Sequence, residues 1–137
     1  MLAFNNSLIA ETIVSSFPEV QAIYLFGSQA TNSSRHDSDI DIAFLTSEGI
    51  IIPPVQLFNV KTELEVKFGK EVDLIHLNSA STVLQFQVTT TGIQLFAKNP
   101  AFLLRFEAMV LSQYQRFNEE RKAIIEEIIS SGKVYSN

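Results

Sequence analysis

Two apolar runs of strand length, Val20 to Phe26 and Ile40 to Leu45, are separated by Gly27 and a tract of mostly small or polar residues; the second run opens on two carboxylates, Asp39 and Asp41. Successive side chains of a strand point to opposite faces. Asp39 and Asp41 therefore share a face with Ala43 and Leu45, while Ile40, Ile42 and Phe44 share the other. Only the leading end of the first face is acidic, so the pattern sets two acids side by side at the start of a strand whose back is buried. Neighbouring carboxylates repel, and burial raises their pKa further. A hard cation removes that cost. Mg²⁺ takes oxygen ligands, commonly one or two carboxylates together with substrate phosphates. Asp-x-Asp by itself also suits a solvated edge or a turn, so its meaning depends on what surrounds it.

The rest of the chain alternates helical and extended patterns. Asn5 to Phe17 has helical spacing in Leu8, Ile9, Thr12, Ile13 and Ser16, with Asn6 or Ser7 as cap and Pro18 as its end. A loop, Ser47 to Pro54, holds "GIIIPP", whose isoleucines need cover from this protein or another one. Val55 to Phe68 reads as a helix on Val55, Phe58, Thr62, Leu64 or Glu65, and Phe68, with Glu63 and Lys67 paired outside and Gly69 as C-cap. Glu71 to Leu77 is a third strand, Ser79 to Thr91 a helix closed by Gly92, and Ile93 to Ala97 a fourth strand. Pro100 to Ser131 reads as one long helix ended by Gly132, with Leu103, Phe106, Val110, Tyr114, Phe117, Arg121, Ile124 and Ile128 in a 3.5-residue rhythm. This order defines a small α/β or α+β domain with an appended helix.

Composition narrows the class. At 137 residues and 46% apolar, the chain has the size and apolar content of a single domain with a real core. A net charge of −5 argues against direct nucleic-acid binding, which calls for a basic surface. With no cysteine there is neither a disulfide framework nor a thiolate metal site. No Lys or Arg precedes Arg35, as a secretory signal would require, and no apolar run approaches the ~20 residues of a membrane span; a cytoplasmic protein is expected.

Two further elements raise the weight of the acidic pair. Gly27 permits a tight turn after the first strand, Ser28 offers a hydroxyl, and backbone N–H groups at such a turn bind phosphate oxygens. Asp73 in "EVDLIHL" is a third carboxylate inside an apolar strand. If that strand lies next to Ile40–Leu45, Asp73 faces the pair. Three carboxylates are able to hold two metals ~3.5–4 Å apart, and Asp73 is also placed to act as general base. Phosphate on one side and metal on the other is the geometry of phosphoryl or nucleotidyl transfer. His36 reads as a solvated loop residue. His76, on the face opposite Asp73, reads as structural, and no Ser/His/Asp grouping is visible.

Gly27-Ser28, the ten residues Gln29 to Ser38, Asp39-Ile40-Asp41 and the later strand residue Asp73 resemble the signature of the DNA polymerase beta-like nucleotidyltransferase superfamily. The match covers about half the chain. The short length is similar to the minimal nucleotidyltransferase (MNT) family, many of whose members are antitoxins paired with HEPN toxins. The resemblance implies an α+β palm with a mixed sheet flanked by helices, followed by a C-terminal helical part. It implies ATP as substrate, two Mg²⁺ ions, a hetero-oligomer with a HEPN-type ribonuclease toxin, and transfer of AMP to a tyrosine hydroxyl of that toxin. In the roles so implied, Gly27 and Ser28 hold the triphosphate, Asp39 and Asp41 hold both metals, and Asp73 holds the metal that activates the acceptor oxygen. One departure stands out: many members carry a basic residue after Gly-Ser and an Ala-Arg-Gly run, where this chain has Gln29 and Thr31-Asn32, leaving Arg35 as a substitute cation.

Residues 1–99 thus form the expected catalytic domain and 100–137 a helical segment. Its far end, "QRFNEERKAIIEEIISS", extends past what a small palm covers and is expected to meet another chain. Two other readings remain: an adenylyltransferase of a small hydroxyl compound such as an aminoglycoside, which has little room here for an acceptor domain, and a binder that neutralises its partner by contact alone.

Overall fold

The structure, a computed structural model, describes residues 6–27 and 39–131. Ser28, Gln29, Arg35 and His36 lie outside the described residues, as does Gly132, expected to end the last helix. In chain order the elements are α1 (Asn6–Ser16), β1 (Val20–Phe26), β2 (Ile40–Thr46), α2 (Pro54–Phe68), β3 (Val72–His76), a 3₁₀ turn at Leu77–Ser79, α3 (Thr82–Thr91), β4 (Ile93–Ala97) and α4 (Pro100–Ser131). The four strands form one sheet in the order β3-β2-β1-β4. β1 is antiparallel to both β2 and β4, and β2 is parallel to β3, so the sheet is mixed.

Strand alternation sorts the core into two layers. Ile23, Leu25, Ile40, Ile42, Phe44, Val72 and Leu74 meet Ile9 and Ile13 of α1 and Val60 and Leu64 of α2. On the other face Ala22, Tyr24, Phe26, Ala43 and Leu45 meet Val88 of α3 and Leu103 of α4. Val20 joins the first layer although it lies two residues from Ala22, because the ladder shifts register between Val20 and Ala22. Such a bulge inserts one extra residue and turns the strand end to the other face. Tyr24 donates from its hydroxyl to Glu107 Oε2 at 2.8 Å and ties α4 to the sheet. Burial and then that carboxylate push the phenol pKa far up.

α2 packs through only part of the face expected: Leu64 and Phe68 turn inward, and Val55, Phe58 and Thr62 do not. Val55 and Phe58 are 70% and 63% exposed, and Val60 and Leu64 are buried with Leu57 and Phe68 against them. Two stripes compete on this helix: 57-60-64-68 and 55-58-62-66, each with helical spacing. The sheet takes the first, which carries two leucines and a phenylalanine, and turns the second outward. The expected ion pair Lys67–Glu63 is present at 2.9 Å, and Gly69 caps the helix at φ 64°, its N–H donating to the Glu65 carbonyl. Ile51 of the preceding loop is exposed while Ile52 packs on the core. α3 starts three residues later than expected. Leu77–Ser79 is a separate 3₁₀ turn, and Ser81 caps α3 by accepting from the Leu84 N–H at 3.2 Å.

His76 is structural, as its face predicted. It stacks on Phe44, which stacks on Phe17, with ring centroids 5.2 and 4.7 Å apart, and its Nε2 lies 2.8 Å from Thr46 Oγ1. Burial lowers its pKa. The unfolded chain therefore takes up a proton first as pH falls, and stability drops with it. The melting temperature should fall by a few degrees between about pH 7 and pH 5, and His76→Gln should flatten that slope. An unchanged slope in the variant, read by thermal scans across pH, would assign the dependence elsewhere.

Candidate active site

β1 ends at Phe26, and the chain leaves it at Gly27 with φ 72°, a left-handed conformation. Phe26 is the ladder partner of Asp41, so the glycine lies against the Asp41 side chain. A Cβ at Gly27 would collide with Asp41 Oδ2 and stand 3.0 Å from its Cγ. Conformation and contact both demand a residue without a side chain. Gly27→Ala should cost about 1–3 kcal/mol in urea unfolding and push the Asp41 carboxylate out of place. Wild-type stability and activity in that variant would remove the glycine from the site.

The parallel pairing of β2 and β3 sets Ile40 against Val72, both in the core, and Asp41 against Asp73 on the opposite face. The pairing begins with the Ile40 N–H donating to the Glu71 carbonyl at 2.9 Å. Asp39 lies immediately before β2 and is exposed; Asp41 is half-buried and Asp73 exposed. The structure thus brings the expected acids to one end of the sheet, and the Gly27 turn abuts them. Burial, then the charge of Asp73, then that of Asp39 hold the Asp41 carboxyl above the usual carboxylate range. Ser28, the other expected phosphate holder, lies outside the described residues.

Two residues that sequence reading passed over border the site. Glu65 of α2 accepts from Lys61 Nζ at 2.6 Å and from the Val72 N–H at 3.0 Å, one residue before Asp73. Those two bonds lower the Glu65 pKa, in that order. The Glu65 bond raises that of Lys61, and the charges of Glu71 and Asp73 add to it. The signal was a Lys–Glu pair at i, i+4, in the order that favours an isolated helix less. Its bond to β3 joins elements that only the fold brings together.

Oxygen donors under mutual repulsion suit a hard divalent cation. Asp41 and Asp73, adjacent in register, would be its first holders, with Asp39 beside them. Among the described residues no three His, Asp or Glu side chains converge on one point. A cavity of about 630 Å³ lined by Glu48, Asn78, Gln85, Phe102, Arg105 and Met109 lies at the other end of β2, past Thr46, and none of the three acids borders it. Among the described residues no helix is long and apolar enough to cross a membrane.

A mixed sheet whose glycine turn faces an acidic strand start defines a nucleotidyl-transfer palm. Residues 9–101 match the family described as Polymerase beta, Nucleotidyltransferase, and the chain belongs to that family. It is 34% identical to the protein adenylyltransferase MntA of Shewanella oneidensis, over 96% of this chain and 92% of that one. A crystal structure of a toxin–antitoxin complex with AMP-PNP superposes with a TM-score of 0.81 at 34% identity, covering 92% of this chain and 99% of the other. The MNT antitoxin in complex with the tri-AMPylated Shewanella oneidensis HEPN toxin superposes at a TM-score of 0.76 and 33% identity, covering 94% and 99%. The family resemblance read from the glycine turn and the three acids is borne out, as is the α+β palm with its long last helix.

Proposed function

We propose that this chain is a protein adenylyltransferase that moves AMP from ATP to a tyrosine hydroxyl of a HEPN-type ribonuclease toxin, and so acts as its antitoxin. The observation that carries the reading is the register of Asp41 with Asp73 beside the Gly27 turn, in a chain similar from end to end to a protein adenylyltransferase. The acceptor oxygen attacks the α-phosphorus, the bond between the α-phosphorus and the bridging oxygen breaks, and pyrophosphate leaves with that oxygen. The acceptor proton passes to Asp73, placed to act as general base. Gly27 and Ser28 hold the triphosphate through backbone N–H groups and the serine hydroxyl. Asp39 and Asp41 would hold the two Mg²⁺ ions, with Asp73 as a further ligand. When bound, the two ions neutralise the phosphate charge and lower the pKa of the acceptor hydroxyl.

Residues 1–99 supply this chemistry, and the outer part of 100–137 binds the partner. α4 has 32 residues, about 48 Å of helix. Its buried positions, Leu103 and Val110, both lie in the first half, and Phe117, Ile124, Ile125 and Ile129 are exposed beyond them. The test is incubation with labelled ATP, Mg²⁺ and the HEPN-type partner. Label in a partner tyrosine supports the reading. Label only in a small hydroxyl compound, or neutralisation without label, overturns it.

A further inference from the structure

β3 is an edge strand, bonded to β2 on one side only. On its open side the Val72 N–H has a fixed acceptor, Glu65 Oε2, at 3.0 Å. The same carboxylate oxygen accepts from Lys61 Nζ at 2.6 Å, and its side chain is 26% exposed. A helix side chain thus pins the first residue of the strand that carries Asp73. We propose that Glu65 is a positioning residue for Asp73: by bonding the Val72 amide it holds the start of β3 in register, so that Asp73 stands beside Asp41. The proposal rests on the reading of Asp41 and Asp73 as cation ligands.

The geometry explains why a carboxylate is used here. The Val72 amide faces away from β2, so the ladder, which bonds the Glu71 carbonyl, does not satisfy it, and only two residues separate Val72 from the Gly69 cap of α2. Without that bond the open side of the strand's first residue is held only by core packing, and Asp73 is the second residue. Lys61 does not serve in Glu65's stead. Its ammonium is a charge near Asp73 that competes with a cation, so its pairing with Glu65 keeps it turned to α2.

The experiment compares Glu65→Ala, Glu65→Gln and Lys61→Met in the full chain, with Mn²⁺ binding measured by calorimetry without nucleotide and Val72 amide exchange by NMR. Glu65→Ala should weaken Mn²⁺ binding about tenfold, the usual effect of losing a group that orients a ligand, and should speed Val72 exchange. Glu65→Gln keeps an acceptor oxygen and should stay within about threefold of wild type in both. Lys61→Met leaves the Val72 bond in place and should bind Mn²⁺ at least as tightly as wild type. Equal losses in the Gln and Ala variants, or unchanged Mn²⁺ binding in Glu65→Ala, would overturn the proposal. If Glu65→Ala fails to fold, the Gln variant with Lys61→Met still decides: loss of Mn²⁺ binding in Gln overturns it, and retention with slow Val72 exchange supports it. Binding without AMP transfer by the wild type would sink the functional reading and leave the role of Glu65 intact.

Discussion

Asp39→Asn with Asp41→Asn should abolish AMP transfer while making the protein more stable. Transfer is expected to fall at least about a thousandfold, the equivalent of ~4 kcal/mol of charge stabilisation in the transition state. The stability gain follows from the sign of the Asp41 shift. Its carboxyl is raised on folding by burial and by the charges of Asp73 and Asp39. A raised acid contributes stability below its unfolded pKa and loses it as pH rises through the folded value. At neutral pH the ionised Asp41 is therefore a cost, and an amide removes it. The variant should melt a few degrees above wild type at pH 7, with the gap closing below about pH 4, where both carry an uncharged group. Mg²⁺ should raise the wild-type melting temperature, as any ligand of the native state does, and leave the variant unmoved. Thermal scans with and without Mg²⁺, run beside the labelled-ATP assay, check all three. A variant that melts lower at pH 7 would show that the acids hold the fold together rather than burden it.

Removing residues 115–137 should leave a folded, ATP-using domain that no longer holds its partner. The last buried residue of α4 is Val110, and the ring of Tyr114 stacks on Phe86 at 3.8 Å, closing the contact between α3 and α4. Past that point the described residues of α4 bury no apolar side chain. The melting temperature is therefore expected to hold within a few degrees. Four exposed large apolar side chains of the described residues, Phe117, Ile124, Ile125 and Ile129, go with the truncated part. Burying one such side chain at an interface contributes on the order of 1.5–3 kcal/mol, so affinity for the partner should fall at least about a hundredfold. Calorimetry of the truncated chain against the purified partner reads it directly. Full binding by the truncate would move the interface onto the palm, where the outward stripe of Val55, Phe58 and Val66 on α2 is the next surface to examine.

The elements of this fold were largely legible. β1, β4 and α4 have the ends that their patterns predicted. Their limits are marked by strong local signals: Gly27 after Phe26, Gly92 before Ile93, Pro100 at the first turn of the last helix. The acids at the start of β2 were legible too, because Asp39 and Asp41 flank and interrupt the opening of an apolar run. α2 was read less well. Two apolar stripes with the same period are equivalent in the sequence, and only the sheet's shape distinguishes the one it buries. The start of α3 shifted because Leu77–Ser79 takes a 3₁₀ turn, held as Gln85 donates to the Leu77 carbonyl at 2.9 Å.

What the sequence by itself determined is local: where most helices and strands run, that a glycine turn follows the first strand, and that two acids stand at the start of the second. Each follows from the conformational preference of a residue or from a short period along the chain. What only the tertiary structure decided is which strands are neighbours. The parallel pairing of β2 with β3 brings Asp73 level with Asp41, and the packing of α2 brings Glu65 to the Val72 amide. The first joins residues far apart in the chain, and the second closes across the turn between consecutive elements, seven residues apart. Their free energy comes from burying the two faces of the sheet together, which no short window of sequence encodes.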